Sequence, residues 1–94
     1  MPFPSQTPRA FTRQNIEAIN PNQMECYGLF KGSTAVYVGR GDIRDRLLAH
    51  LDGDNSCITA QKPTHWVDVV TSDQVAEEKR LILEFNPVCN RKVG

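Results

Sequence analysis

Apolar and polar positions follow two rhythms along this chain. Residues 25–30 (Glu-Cys-Tyr-Gly-Leu-Phe) and 35–39 (Ala-Val-Tyr-Val-Gly) are short runs rich in aromatic and β-branched side chains. Between them lies Lys31-Gly32-Ser33-Thr34, which is turn chemistry, so the two runs predict a hairpin. Residues 65–71 (His-Trp-Val-Asp-Val-Val-Thr) predict a third strand. Helical spacing appears at Ile43, Leu47, Leu48 and Leu51, predicting a helix that Asp42 caps after Gly41 and that runs to about residue 51. It returns at Val75, Leu81, Ile82 and Phe85, predicting a helix over 73–85, capped by Ser72 and ended by Asn86-Pro87. A shorter helix over 13–19, capped by Thr12, stops near Asn20-Pro21, because the residue before proline disfavours the helical region. Asp52 to Ser56 is loop-forming, and 58–62 predict a short helical turn. The order is α-β-β-α-β-α, an α+β domain with a three-stranded antiparallel or mixed sheet flanked by helices. Pro2, Pro4 and Pro8 precede it without the apolar stretch of a secretory signal, so 1–10 predict a flexible or extended arm and 11–94 a single domain.

Composition changes this picture in three places. With 94 residues there is room for one modest core, and no apolar run approaches the roughly 20 residues that span a bilayer, so no membrane role is expected. Lys+Arg and Asp+Glu balance at 11 each. A protein that grips a duplex unaided usually carries a basic surplus, because neutralised phosphates supply much of the affinity. The balance therefore predicts weak intrinsic affinity, with a protein partner or separate targeting subunit to deliver substrate, or a metal to supply positive charge. The three cysteines, Cys26, Cys57 and Cys89, are widely spaced and form no CxxC pair. They predict reduced thiols, no disulfide framework and a cytoplasmic, reducing location. Cys57, His50 and His65 are too scattered for a zinc site, and there is no Walker-type phosphate loop or acyl-transfer triad.

The candidate chemistry lies where polar residues break the local pattern. Advancing about 100° per residue along the last helix places Glu77, Arg80 and Glu84 together on a solvated face. Glu78 falls instead inside the apolar stripe, between Phe85 and Ile82. A carboxylate there needs a cation, a proton or a basic partner from the sheet. On the helix over 43–51, Arg46 and His50 stand at i and i+4 on one flank of the stripe. Two potentially cationic groups side by side make sense facing an anion; a solvated flank is the alternative. Tyr27 and Tyr37 lie on neighbouring strands, where a phenol is either a good strand residue or a hydroxyl that binds phosphate and moves a proton.

These residues and their spacing resemble the GIY-YIG nuclease family, which includes the N-terminal nuclease domain of the bacterial excision-repair endonuclease. The family's first motif, G-I/V-Y, matches Glu25-Cys26-Tyr27 in its tyrosine, and ten residues later Tyr37-Val38-Gly39 matches Y-I-G. Arg40, the loop Gly41-Asp42-Ile43 and Arg46 fit the basic residue, loop and helical arginine that follow, with one loop residue fewer than the repair enzyme. His50 stands where many members carry a histidine, four residues after that arginine. The family's metal-binding glutamate precedes P-x-x-N by nine residues to the proline and twelve to the asparagine. Counting back from Pro87 and Asn90 selects Glu78 both times, the carboxylate that the helical wheel isolates independently.

The resemblance covers roughly 25–90 and implies a metal-dependent endonuclease that hydrolyses phosphodiester bonds in nucleic acid, DNA before RNA. It implies one divalent cation, Mg²⁺ or Mn²⁺, on Glu78, with Tyr27, Tyr37, Arg46, His50 and Glu78 as catalytic residues. It further implies Arg40, Arg44 and Asn90 at the nucleic acid or the site wall. Cys26 and Glu25 depart from the first motif while leaving the Tyr27 hydroxyl in place. That departure admits a second reading, a catalytically weak or inactive GIY-YIG-fold module that binds nucleic acid or a protein partner.

Overall fold

The computed structural model describes residues 6–90; residues 1–5 of the expected arm and 91–94 lie outside them. The elements in chain order are β1 (Arg9–Ala10), α1 (Arg13–Glu17), β2 (Met24–Lys31), β3 (Thr34–Asp42), α2 (Ile43–Leu51), α3 (Ser56–Gln61), β4 (His65–Val69), α4 (Gln74–Phe85) and a 3₁₀ turn, Val88–Asn90. The expected hairpin is β2–β3 and the expected third strand is β4. The sheet is antiparallel throughout, in the order β1-β4-β2-β3.

Four strands replace the three expected. The added one is β1, two residues paired with His65 and Trp66. It carries no periodic signal, because it is too short to show alternation. What holds it lies far off in sequence: the Gln6 amide exchanges two hydrogen bonds with the Asp68 backbone, and the Arg9 guanidinium lies over the Trp66 ring.

Helix boundaries follow the caps. Thr12 accepts from the Asn15 amide and Asp42 from the Asp45 amide, as expected. The cap of α4 is Asp73 rather than Ser72, its carboxylate accepting from the Ala76 amide at 3.2 Å. Asn86 then ends α4 in the left-handed region, φ 47°, ahead of Pro87. Helix α1 is shorter than the spacing suggested, and the helical turn expected at 58–62 is α3, starting two residues earlier on the Asn55 cap.

The sheet is covered on both faces. Ile16, Tyr27, Leu29, Ile43, Leu47, Ile58 and Trp66 form the larger core, beneath α1, α2 and α3. Val36, the unpaired residue at the bulge opposite Leu29 and Phe30, joins them. On the other face Cys26 and Val38 pack against Leu81 of α4, with Ile82 and Phe85 beside them. Val75 does not belong to this stripe: it stands 60% exposed in the first turn of α4. Among the described residues no helix is long and apolar enough to cross a membrane.

The expectation of three reduced thiols is corrected. Cys57 of α3 and Cys89 of the 3₁₀ turn form a disulfide, with Cα atoms 5.7 Å apart and a sequence separation of 32. The linear spacing conceals the pair, since it is the packing of the 3₁₀ turn beside β3 that brings Cys89 to α3. The inference of a reducing compartment loses its support. Cys26 is the free thiol, buried against α4, donating to the Gln74 carbonyl and pushed up to about 11 by burial and by the Glu78 charge.

Candidate active site

The site begins with the ladder between β2 and β3. Tyr27 stands directly opposite Gly39, and Tyr37 precedes Gly39 by two residues, so both phenols rise from the same face of the sheet. Their ring centroids are 6.3 Å apart. Tyr27 is buried in the core, whereas Tyr37 is only partly covered.

Helix α2 then lays Arg46 and His50 beside the two rings. The His50 ring centroid lies 5.7 Å from that of Tyr27 and 5.1 Å from that of Tyr37. Its Nε2 is 2.7 Å from the Tyr27 hydroxyl oxygen. The anion that Arg46 and His50 face is part of the chain itself: Asp54. One carboxylate oxygen accepts from His50 Nδ1 at 2.8 Å and the other from Arg46 Nη2 at 3.2 Å.

Asp54 is the member of this cluster that the sequence reading passed over, inside a segment classed only as loop. A signal existed: Arg46, His50 and Asp54 continue a stride of four residues past the helix end. The physical device is a helix terminator. The Gly53 amide bonds to the His50 carbonyl and the Asp54 amide to the Ala49 carbonyl, with Gly53 at φ 91°. This double bond pattern, with glycine in the left-handed region, folds the chain back over the last turn. It returns Asp54 to the flank carrying Arg46 and His50.

Burial sets the protonation of the cluster. It drives the His50 pKa below the ordinary imidazole value, with Asp54 opposing and Arg46 assisting, so His50 is neutral at pH 7. It drives both phenols upward, Tyr27 further; the neighbouring Tyr37 adds to the Tyr27 shift and the Arg46 guanidinium beside it pulls back. For Tyr37, the largest effect after burial is the negative charge of Glu78. That carboxylate reaches the site from α4, on the opposite face of the sheet, at the margin formed by β3.

The wheel set Glu78 inside the apolar stripe; the structure puts it at the rim instead, with a basic partner from the sheet. Its side chain is 26% exposed, and its ion-pair partner is Arg40 of β3, Nε to Oε1 3.3 Å. Glu77 and Glu84 both pair with Arg80, but Glu77, which the wheel set on the solvated face, is only 20% exposed, less than Glu78. Among the described residues no group of three or more His, Cys, Asp or Glu side chains is arranged to hold a metal ion. A single half-open carboxylate does not fit zinc or a dehydrated calcium cage. It fits Mg²⁺ or Mn²⁺, which keep most of their waters and take one or two carboxylates plus substrate phosphate.

The remaining candidates fall in different places. Asn90 caps β3: its Oδ1 accepts from the Val38 amide at 2.7 Å and its Nδ2 donates to the Val38 carbonyl at 2.9 Å. Its amide is thus spent on the wall of the site. Arg44 leaves α2 about 200° round from Arg46 and joins none of the bonds of the cluster.

Among solved structures, the chain is similar to the GIY-YIG N-terminal endonuclease domain of UvrC from Thermotoga maritima bound to its catalytic divalent cation, magnesium. The TM-score is 0.70 at 15% identity, covering 84% of this chain and 96% of that one. Two point mutants of that domain, also bound to the divalent cation, give TM-scores of 0.71 at 16% and 17% identity, covering 85% of this chain and 94% of each. No protein-family model matches the chain, and no curated protein matches it at a significant level. At such identities what is shared is the fold: this chain has the fold of a GIY-YIG endonuclease domain.

Proposed function

We propose that the domain is an endonuclease that hydrolyses phosphodiester bonds in nucleic acid, DNA before RNA, with one divalent cation. The observation that carries this reading is the setting of Tyr37. The Glu78 charge acts on this phenol from one side, and the Arg46 guanidinium and neutral His50 stand on the other. Those are the groups needed around a phosphate undergoing in-line attack: a cation holder, a fixed positive charge and a hydroxyl beside the water.

Mg²⁺ or Mn²⁺ on Glu78 would supply Lewis-acid charge at a phosphate oxygen. Arg46 then stabilises negative charge building on the phosphoryl oxygens. Tyr37, the more open of the two phenols, would orient the attacking water. Tyr27 is 1% exposed and serves from behind, tying β2 to His50 through its hydroxyl. Arg40 holds the Glu78 carboxylate and adds positive charge at the margin of β3. With no net charge to bind a duplex, the domain gains its affinity from the cation or from a protein partner that delivers substrate.

The test is cleavage of labelled single-stranded, duplex and branched DNA, and of RNA, with Mg²⁺ or Mn²⁺ and with chelator. Cleavage with the cation, lost with chelator, and reduced at least about a hundredfold in Glu78→Gln is expected. Glu77→Ala, which removes a pairing with Arg80 and an acidic group from the first turn of α4, should stay close to the parent chain in cleavage. Equal cleavage by Glu78→Gln and the parent would refute the reading.

A further inference from the structure

Asp54 holds two groups of the cluster at once, and with His50 neutral the donor chemistry of those groups leaves a single consistent arrangement. A carboxylate only accepts hydrogen bonds and a guanidinium only donates. The short bond from His50 Nδ1 to Asp54 therefore places the imidazole proton on Nδ1. His50 is neutral, so its Nε2 is bare, and the 2.7 Å contact with Tyr27 must be the phenol donating to Nε2. The oxygen of Tyr27 is left with its lone pairs toward Arg46, whose guanidinium lies beside it. Asp54 takes Arg46 with its second oxygen.

Burial makes this more than a surface ion pair. The His50 side chain is 1% exposed and Tyr27 is in the core, while the Asp54 carboxylate stands at the rim, 34% exposed. An inward-facing imidazole has two possible tautomers, and the partner of one nitrogen fixes the role of the other. Without the carboxylate, Nδ1 has no acceptor in the cluster and Arg46 loses its anionic partner, keeping only the Tyr27 oxygen. The charged and polar groups facing His50 are Tyr27 from β2, Tyr37 from β3, Arg46 from its own helix and Asp54 from the turn after it.

We infer that Asp54 is a positioning residue of the cleavage site: it fixes the His50 tautomer that accepts the Tyr27 proton and aims the Arg46 guanidinium at the phosphoryl group. This rests on the endonuclease reading for its effect on rate, but the tautomer is measurable without any reaction. The local helix terminator at Gly53 supplies the placement, so the whole set of Arg46, His50 and Asp54 is delivered by one helix and its end.

The test combines nitrogen NMR of the histidine side chains with cleavage kinetics, on the full chain, for Asp54→Ala, Asp54→Asn and the control Asp52→Ala. Asp52 pairs with Arg13 outside the cluster. The parent and the control should show His50 protonated on Nδ1, and Asp54→Ala should move the proton toward Nε2. With saturating Mg²⁺, kcat should fall about 10- to 100-fold in Asp54→Ala with KM nearly held, the range for loss of a residue that orients a working group. Asp54→Asn, which keeps the shape if the alanine variant folds poorly, should lose at least about tenfold because Arg46 loses its anionic acceptor. An Nε2 proton in the parent, an unchanged tautomer in Asp54→Ala, or an unchanged or raised kcat in Asp54→Asn would overturn the inference; a raised kcat would make Asp54 an obstruction to phosphate. If the parent chain cleaves nothing, the endonuclease reading fails, while the NMR result still decides whether Asp54 sets the tautomer.

Discussion

Gly39 and Tyr27 face each other across the β2–β3 ladder so closely that a Cβ on Gly39 would lie 2.5 Å from the Tyr27 hydroxyl oxygen. It would also lie 2.8 Å from a ring carbon of Tyr37. The glycine is thus a steric requirement of the two phenols, and the third residue of the Tyr37-Val38-Gly39 motif has a physical reason. Gly39→Ala must displace a phenol that His50 holds from the other side. It is expected to lose about 1–3 kcal/mol of stability, as overpacked cores do, and most of any cleavage. Chemical denaturation and the cleavage assay check the two together.

Arg40 pairs with Glu78, the carboxylate proposed to hold the cation. The pair is partly exposed, 46% and 26%, so solvent screening keeps its worth small. Arg40→Ala is expected to tighten Mn²⁺ binding by about two- to fivefold, the equivalent of an exposed pair of up to roughly 1 kcal/mol. Calorimetric titration of Mn²⁺ reads it directly. Weaker binding in the variant would show that Arg40 supports the cation site instead of competing with it.

Glu25 is a buried carboxyl on the same sheet face as Tyr27, pushed up to about 7 by burial and then by Asp68, with Arg9 partly offsetting. The sign follows from linkage: a carboxyl whose folded pKa lies above its unfolded value holds its proton better when folded. Its contribution is fully present below about pH 4.5 and is lost as pH rises to about 7. Glu25→Gln removes the charge that burial penalises. Its melting temperature should match the parent near pH 4.5 and exceed it increasingly up to pH 7–8. A difference that stays flat across that range counts against the buried pair.

The Cys57–Cys89 bridge closes a long loop across the domain. Loop-closure entropy for a segment of this size is worth about 3–4 kcal/mol, so Cys89→Ser should lower stability by roughly that amount. Peptide mapping without reductant should recover the two cysteines linked and Cys26 free. Because Asn90 follows Cys89 and clamps Val38, amide exchange at Val38 should speed up in Cys89→Ser.

Much of this could be seen in the residues beforehand. The aromatic and β-branched runs that made β2, β3 and β4 and the stripes that made α2 and α4 are local signals, and they place Tyr27, Tyr37, Arg46 and Glu78 on the correct elements. Glu78 was visible because a carboxylate inside an apolar stripe breaks a rule. What was hidden is non-local or aperiodic. β1 is too short to alternate. The disulfide depends on where the 3₁₀ turn packs. Val75 obeys the helical period and still stands in solvent. Asp54 was masked by its company: Asp-Gly-Asp-Asn-Ser announces a loop, and the glycine that makes the loop is what returns the acid to the cluster.

The borders of the sheet carry a last consequence, for aggregation. An open strand border invites a second molecule to hydrogen-bond along it, and proteins resist this by shortening or blocking such borders. Here one border strand has only two residues, and the other has its amide and carbonyl at Val38 taken by the Asn90 side chain. The asparagine that clamps Val38 therefore also denies neighbouring molecules a template, and Asn90→Ala would lose both the clamp and the block in a single step.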